Sequence, residues 1–277
     1  MNRTYYLLIL VLFALLTGIK IRANNPGVAE ILEKLYDRIV ESRDDNEKLR
    51  LNDSVQLLIG AYAESDSVFA HSFENLRYLG QITSPDRKLK IITWNVSLRD
   101  GPNRYFCYII RKDGRKMPNT VFALSGMNRE EPVRDDIIYT SGNWYGALYY
   151  AIRPFRNNKQ NCYLVLGLDY GNLWVSRKII DVLTFSPDDS LMLGLDCFIR
   201  EESKKLREVL EYSPEGIVSL RMEDNKTVVF DQPVTVKTGH GDGYELSAAG
   251  ISFSGYVLQK GNWKFVSDID VKNRKKK

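Results

Sequence analysis

Two stretches before residue 77 carry apolar residues at helical spacing, which predicts two helices. Asn25 and Pro26 are typical of a helix cap and a first helical position, and the apolar residues that follow are Val28, Ile31, Leu32, Leu35 and Ile39. After a polar break at residues 43–46, a second apolar face is formed by Leu51, Val55, Leu58, Ile59 and Tyr62. Both faces are narrow, so we expect the helices to pack on another element; a docking surface for a partner is the alternative.

From Arg77 onward the apolar period changes to two. Runs rich in Tyr, Ile, Val, Phe and Thr alternate with Gly, Asn, Asp and Pro turns every 8 to 15 residues as far as Val266, which predicts roughly a dozen strands. Short connections indicate antiparallel neighbours, and residues 201–208 are the one place where a helix is considered. The expected fold is mainly β, as an antiparallel meander, a sandwich or an irregular partial barrel, with two N-terminal α-helices.

Repeated turn phrases raise the question of a β-propeller. Ser-Pro-Asp occurs at residues 84–86 and 186–188, which lie 102 residues apart, whereas propeller blades repeat at about 40 to 45 residues. The phrase Leu-Gly-Leu-Asp recurs after only 27 residues, at 166–169 and 193–196. These spacings share no common period, so we predict that the fold is not a regular propeller and that the phrases are reused turns.

The chain begins with a segment typical of a secretory signal peptide. Arg3 precedes an unbroken apolar run at residues 5–16. A membrane span needs about 20 apolar residues, and Lys20 and Arg22 end this run early, so cleavage is favoured over a retained signal anchor. The predicted layout is a signal peptide at 1–23, a helical segment at 24–76, an antiparallel β domain at 77–268 and a basic tail at 269–277.

Charge bears on the class of partner. Residues 1–23 hold three basic residues and no acidic one, so their removal leaves 36 basic residues against 35 acidic residues. Five of the basic residues lie in the tail, at Lys272, Arg274, Lys275, Lys276 and Lys277. Nucleic-acid binding needs a concentrated basic face, which the rest of the chain lacks, so no nucleic-acid partner is predicted. We interpret the tail as a solvated end; attraction to anionic lipid or an acidic partner is the alternative.

Three cysteines, Cys107, Cys162 and Cys197, lie in apolar runs. If residues 162–169, 174–185 and 190–199 form a meander, its outer strands lie about 9.6 Å apart, whereas bridged Cα atoms must lie within about 7 Å. Cys162 and Cys197 then cannot pair. We predict three buried free thiols.

The predicted strand at residues 143–153 is apolar on both sides, which an antiparallel sheet with one wet face does not explain. The N-terminal helices are the favoured cover for the second face, and a partner protein is the alternative. Tyr145 and Tyr149 lie on that face, and tyrosine is favoured at interfaces because it combines a large contact area with a polar tip. They are therefore the candidate partner-binding residues.

Three carboxylates are candidates for a structural or a chemical role. Asp181 shares a strand face with apolar residues, and burying it unpaired would cost several kcal/mol, so it needs a partner, for which Arg153 and Arg177 are the candidates. Asp169 and Asp196 end the two Leu-Gly-Leu-Asp phrases and are expected to bond their own backbone. A role for any of the three in a catalytic carboxylate pair is the alternative.

Several longer stretches of the sequence resemble those of a known group of proteins. They are ITSPDRKLKIITWN (82–95), GNWYGALYYAIRP (142–154), YLVLGLDYGN (163–172), SRKIIDVLTF (176–185), LEYSPEGIVSLR (210–221), VVFDQP (228–233) and KGNWKFVSDIDVKN (260–273). Together they resemble a family of exported β-rich proteins of Gram-negative bacteria, and their arrangement also resembles the periplasmic plug component of the type IX secretion translocon. The resemblance implies a cell-envelope location and carries no active site.

Motifs for catalysis and metal binding were sought as well. The sequence contains no His-Glu-x-x-His, no Cys-x-x-Cys and no Walker loop, and His240 with Asp242 in the segment GHGDG is typical of a surface turn. We therefore predict no metal and no small-molecule cofactor.

Three function classes follow. The main prediction is a non-enzymatic, exported envelope protein that binds another protein, at a secretion machine, and that lies in the periplasm or is peripherally attached to the outer membrane without a stable membrane span. The alternatives are an envelope glycan-binding module and a hydrolase with scattered carboxylates.

Overall fold

A computed structural model of the chain describes residues 26–114, 117–127, 132–172, 174–236 and 246–269. The predicted signal peptide, the basic tail beyond residue 269 and the GHGDG segment with His240 lie outside the described residues.

The two predicted helices are present. Helix α1 spans Pro26–Glu41 and helix α2 spans Asp45–Ala63. Asp44 caps α2, because its side chain accepts a hydrogen bond from the backbone N–H of Asn46 at 2.9 Å. The residues predicted for the apolar face of α2 are buried. Among the described residues, neither this helix nor any other combines the length and the apolar character of a membrane span.

Sixteen strands follow in the described part of the chain. In order they are β1 (Gly80–Thr83), β2 (Leu89–Val96), β3 (Arg104–Arg111), β4 (Thr120–Met127), β5 (Tyr139–Thr140), β6 (Leu148–Asn157), β7 (Gln160–Asp169), β8 (Ser176–Phe185), β9 (Leu191–Leu193), β10 (Phe198–Arg200), β11 (Ser203–Lys205), β12 (Glu208–Tyr212), β13 (Leu220–Met222), β14 (Thr227–Val236), β15 (Leu246–Gln259) and β16 (Asn262–Val266). Residues 201–208, considered for a helix, form a turn, β11 and the start of β12 instead.

These strands form three sheets. The first has the order β1-β2-β3-β4, the second β5-β9-β8-β7-β6 with β12 added along β8, and the third β11-β10-β16-β15-β14-β13. All described pairs are antiparallel except β10 with β16. The mainly β fold with two N-terminal helices is therefore confirmed, and the sheets stack as open layers and do not form propeller blades.

Three cores separate four layers. The helices pack on one face of the first sheet, where Trp94 and Phe106 meet α1 and α2. The other face of the first sheet packs on the second sheet, and the second sheet packs on the third through its opposite face. The second sheet is thus covered on both faces, which explains why strands such as β7 and β8 are buried along almost their whole length.

The strand predicted at residues 143–153, which is apolar on both faces, packs against a different element from the one expected. Strand β6 begins at Leu148, and a β-bulge between Tyr149 and Ala151 shifts its register on β7. Tyr149 contributes to the core shared with the first sheet, while Ala151 packs against the core shared with the third sheet. The prediction that the N-terminal helices or a partner cover the Tyr149 face is wrong, because the first sheet lies between that face and the helices.

All three cysteines are free and buried, as predicted. The expected third meander strand, however, breaks at Gly194, whose φ of 112° permits a sharp change of direction. Strand β10 then joins the third sheet. Cys162 and Cys197 therefore contribute to the core between two sheets, and do not lie on outer strands of one meander.

Both Ser-Pro-Asp phrases form hairpin turns with the same contacts. Ser84 Oγ and Ser186 Oγ each accept a backbone N–H from the returning strand, at 2.9 and 3.0 Å, and each hydroxyl donates to the aspartate of its own phrase. Arg87 and Asp189 occupy equivalent positions with positive φ, at 56° and 65°. The repeated phrase therefore encodes a turn.

Candidate functional site

Tyr145 and Tyr149, the predicted partner-binding residues, are buried in the core between the first and second sheets. Trp144 donates its indole N–H to Tyr149 Oη at 3.0 Å, the two tyrosine hydroxyls lie 2.9 Å apart, and Tyr145 donates to Asp181 Oδ2 at 3.0 Å. Burial raises the pKa of both phenols, so they stay neutral. The structure therefore does not support partner binding through these two rings. Tyr145 hydrogen-bonds Asp181 directly, and Tyr149 is linked to Asp181 through Tyr145.

Asp181 is fully buried, as its position predicted, but its cationic partner is Arg207 and not Arg153 or Arg177. Arg207 Nε donates to Asp181 Oδ2 at 2.9 Å, and both side chains are fully buried. The other carboxylate oxygen accepts the backbone N–H of Val182 at 2.7 Å. The need for a partner was thus predicted correctly, and the identity of that partner was not.

Arg207 joins several segments to this carboxylate. Its guanidinium donates to the carbonyl oxygens of Ile137 and Leu193, at 2.8 and 2.9 Å, and to that of Arg134. It also lies over the ring of Tyr139, 4.7 Å from the ring centroid. Most of its donors are occupied. The guanidinium thereby holds together the segment that leads into β5, the end of β9 and the start of β12.

The electrostatics of the pair follow from burial and mutual attraction. Burial raises the pKa of the Asp181 carboxyl, while the Arg207 guanidinium and the hydrogen bonds act in the opposite direction. For Arg207, burial is the largest single influence and lowers the pKa, but the charge and hydrogen bond of Asp181 together with Tyr145 and Tyr139 more than offset it, so its pKa lies above its ordinary value. A carboxylate held in this way is a structural anchor, because both of its oxygens are already engaged.

Asp169 forms a second buried pair, with Arg177. Arg177 Nη1 lies 3.2 Å from Asp169 Oδ2, and the other carboxylate oxygen accepts from the Tyr105 hydroxyl at 2.8 Å and from the Gly171 backbone N–H at 2.9 Å. The bond to Gly171 confirms the expected bond of Asp169 to its own backbone. Arg177 also reaches Glu211 through Nε at 2.8 Å, and Glu211 is half-exposed. We call Asp169, Tyr105, Arg177 and Glu211 the Asp169 cluster. It connects the core to the surface at one end of the second sheet.

Asp196, the third candidate carboxylate, has no such surroundings. Its side chain is exposed, and its nearest charged partner is Lys204 at 3.8 Å. Among the described residues it accepts no hydrogen bond from its own backbone, so that expectation was wrong. The two Leu-Gly-Leu-Asp phrases differ because the first ends strand β7, whereas the second ends in the connection between β9 and β10.

The connection between β7 and β8 presents two exposed aromatic side chains. Tyr170 is 50% exposed and Trp174 is 71% exposed, and we call this pair the aromatic hairpin. From the sequence, only the Leu-Gly-Leu-Asp phrase at residues 166–169 was interpreted as a turn, and the two rings that follow it were not singled out. The signal that could have identified it is the presence of two large aromatic residues inside a polar turn, where no core requires them.

Local contacts hold the aromatic hairpin in place. Asn172 Oδ1 accepts the backbone N–H groups of Trp174 and Val175, at 2.8 and 3.0 Å. The Asn172 N–H donates to the carbonyl oxygen of Val175 at 3.0 Å. Gly171 has a φ of 64°, and a Cβ atom there would lie 1.5 Å from that carbonyl oxygen. The Asp169 cluster also holds the start of the turn, because Tyr105 Oη accepts the backbone N–H of Tyr170 at 3.0 Å.

The described residues contain no group of three or more His, Cys, Asp or Glu side chains that could hold a metal ion. Searches for similar proteins found no matching family model, no matching curated protein and no matching solved structure.

Proposed function

We propose that this chain is an exported cell-envelope protein that acts by binding another protein and that the aromatic hairpin forms the contact. The observation that carries the proposal is the exposure of Trp174 and Tyr170 on a turn that the Asn172 side chain already fixes by accepting two backbone N–H groups. Trp and Tyr dominate the binding energy of many interfaces. A preorganised turn also loses little conformational entropy when it binds.

The state of the buried carboxylates favours binding over hydrolysis. Asp181 and Asp169 each face an arginine, and all four of their oxygens accept hydrogen bonds or ion-pair contacts within the protein. A catalytic carboxylate must reach the reacting atoms of a substrate. These two instead hold Arg207 and the base of the aromatic hairpin, which is a structural task.

The cellular setting is part of the proposal. An N-terminal segment typical of a signal peptide and the resemblance to exported β-rich proteins both support a location in the periplasm or at the outer membrane. A secretion machine of the type IX class is the setting that the resemblance suggests, with a protein component of that machine as the partner.

The test is partner recovery from membranes at native expression, with Trp174→Ala compared with the wild type. We expect the loss of the indole to reduce recovery by about tenfold or more, as for an interface hot spot, with an unchanged melting temperature because the side chain is exposed. Met117→Ala is the matched control, since Met117 is another exposed apolar residue, at 64% exposure. Equal recovery with Trp174→Ala and the wild type would remove the hairpin from the proposal.

A glycan-binding module is the second candidate. Exposed aromatic rings beside polar side chains suit the stacking of sugar rings, and Trp174 lies two residues from Asn172. Sedimentation with purified peptidoglycan, in the absence of other proteins, separates the two candidates. Retention of the wild type and loss with Trp174→Ala would favour the glycan, whereas no retention would favour the protein partner.

A further inference from the structure

Strand β4 forms one edge of the first sheet, because β3 is the only strand that pairs with it in the part of the chain that the structure describes. A sheet edge presents backbone N–H and C=O groups that can pair with another strand. This edge belongs to a different sheet from the aromatic hairpin, so an interaction there does not rest on the function proposed above.

The hydrogen bonds of the first sheet determine which groups of β4 point outward. The backbone N–H of Lys112 donates to Lys88 O at 2.9 Å, in register with the β2–β3 ladder, so the even-numbered residues of β3 bond to β2. The odd-numbered residues of β3 then bond to β4, where their register partners are the even-numbered residues. The N–H and C=O groups of Val121, Ala123 and Ser125 therefore point away from the sheet, and no hydrogen bond from another described residue reaches them.

The side chains beside this edge leave room for another strand. Ala123 and Ser125 are exposed on the helical side, because the helical core includes residues of β2 and β3 but reaches β4 only at Val121. On the opposite face, Leu124 is buried and Phe122 is half-buried against the second sheet. None of these side chains blocks the approach of a second strand.

Strand β4 also lacks the features that usually prevent edge-to-edge pairing. Its sequence, TVFALSGM, contains no charged residue and no proline. By contrast, β6, which forms an edge of the second sheet, carries Arg153, Pro154, Arg156 and a β-bulge. The edge strands β1, β5, β11 and β13 are four residues long or shorter. Charge, proline, bulges and short length are the common protections of a sheet edge, and β4 has none of them.

We propose that β4 pairs in antiparallel orientation with β4 of a second copy of this chain, about a twofold axis at Ala123. In this register Ala123 lies opposite Ala123 of the second copy, and Val121 and Ser125 each lie opposite the other residue of the second copy. Both members of every such pair point their N–H and C=O groups outward, so each pair exchanges two hydrogen bonds. The two four-stranded sheets thereby join into one continuous sheet.

In this register the strand is its own complement. Phe122 lies opposite Leu124 of the second copy, so two apolar side chains meet across the pair, and no charge faces a like charge. A foreign strand would be selected through pockets for its side chains, and Ala123 and Ser125 are too small to form one. A single strand pair buries less than the roughly 1,200 Å² of a stable interface. We therefore expect a weak dimer, with a Kd of about 10 µM to 1 mM.

Sedimentation equilibrium of the exported chain tests the proposal. We expect a monomer–dimer equilibrium at concentrations up to about 1 mM, and a wild type that stays monomeric over this range would overturn the proposal. Ala123→Lys should weaken the dimer by about tenfold or more, because two ammonium groups then lie opposite each other at the axis. Ala123→Glu should have the same effect. The side chain is exposed, so the melting temperature of both variants should be unchanged.

Mixing the two variants tests the position of the axis. Ala123→Lys and Ala123→Glu should form a heterodimer, because opposite charges then meet at the axis, and its formation also shows that both variants are folded. The absence of a heterodimer would overturn the pairing at Ala123. Ser203→Lys is the matched control, since Ser203 is exposed on β11, an edge strand of the third sheet. Its dimer should be as strong as that of the wild type, and a loss equal to that of Ala123→Lys would show general charge repulsion and overturn the proposal.

Discussion

Lys90 and Arg207 are both buried cations, and the protein stabilises them in opposite ways. Arg207, in the core between the first and second sheets, faces the carboxylate of Asp181. Lys90, on the helical side of the first sheet, has four neutral oxygens within hydrogen-bond distance of its ammonium: Tyr62 Oη at 2.9 Å, Val68 O at 2.9 Å, His71 O at 2.5 Å and Ser72 Oγ at 3.1 Å. The described residues include no carboxylate in an ion pair with it.

The pKa values of the two groups differ accordingly. Burial lowers the pKa of Lys90 to about 8, because no opposite charge compensates for the lost hydration. The pKa of Arg207 lies above its ordinary value, because burial, which lowers it, is outweighed by the charge and hydrogen bond of Asp181 together with the neighbouring tyrosines. Both cations contact backbone carbonyl groups, but only Arg207 has a carboxylate beside it among the described residues. Different changes should therefore release them.

The largest effect is expected for Asp181→Asn. This change removes the counter-charge and leaves the Arg207 guanidinium buried without it, which typically costs about 3–5 kcal/mol in the free energy of unfolding. Urea denaturation measures the loss. Asp196→Asn is the control, because Asp196 is exposed, and it should change stability by less than about 0.5 kcal/mol. A loss in Asp181→Asn as small as in this control would mean that charge does not hold Arg207.

A smaller effect is expected for Lys90→Met. The variant loses the donor to Val68 O and His71 O, but it also removes a buried charge, and Tyr62 still donates to His71 O at 2.5 Å. We expect a loss of about 1–2 kcal/mol. Hydrogen exchange should increase mainly at residues 68–73. A global loss as large as in Asp181→Asn would contradict the difference between the two sites.

The last prediction, about as large as the effect of Lys90→Met, concerns pH. The folded state releases the Lys90 proton near pH 8, whereas the unfolded chain retains it up to about pH 10.4. Unfolding therefore takes up a proton in this interval, so Lys90 makes the protein more stable as the pH rises from 8 to 10. The difference in unfolding free energy between the wild type and Lys90→Met should follow this slope. A flat difference would mean that Lys90 stays charged in the fold.

The sequence predicted local structure well because local patterns determine it. The apolar face of α2 and the burial of Asp181 both follow from spacing within one element. Arg207 could not be identified in this way, because it reaches Asp181 only after the chain leaves the second sheet at the end of β9, adds β10 and β11 to the third sheet and returns as β12 beside β8. Periodicity describes the faces of a strand, but it does not say which sheet receives the strand.

The same limit explains the error at Tyr149. Helices or a partner protein were expected to pack on the second face of this strand. The pattern within a single strand does not show that another sheet packs on it instead. The aromatic hairpin was missed for the opposite reason. Trp174 lies in a turn, and turns are recognised in a sequence by Gly and Asn, so an exposed aromatic residue there is not part of the pattern.

The layered arrangement also has a consequence for how the protein opens. Among the described residues, each outer layer shares a core with only one neighbour, since the helices pack on the first sheet and the third sheet packs on the second. Energetic coupling therefore passes along a line of nearest neighbours, as in a short repeat protein. Either end of the line can unfold as a unit while the middle remains closed. The helical layer and the third sheet are two independent opening units, and the core between the first and second sheets is the last to exchange with solvent.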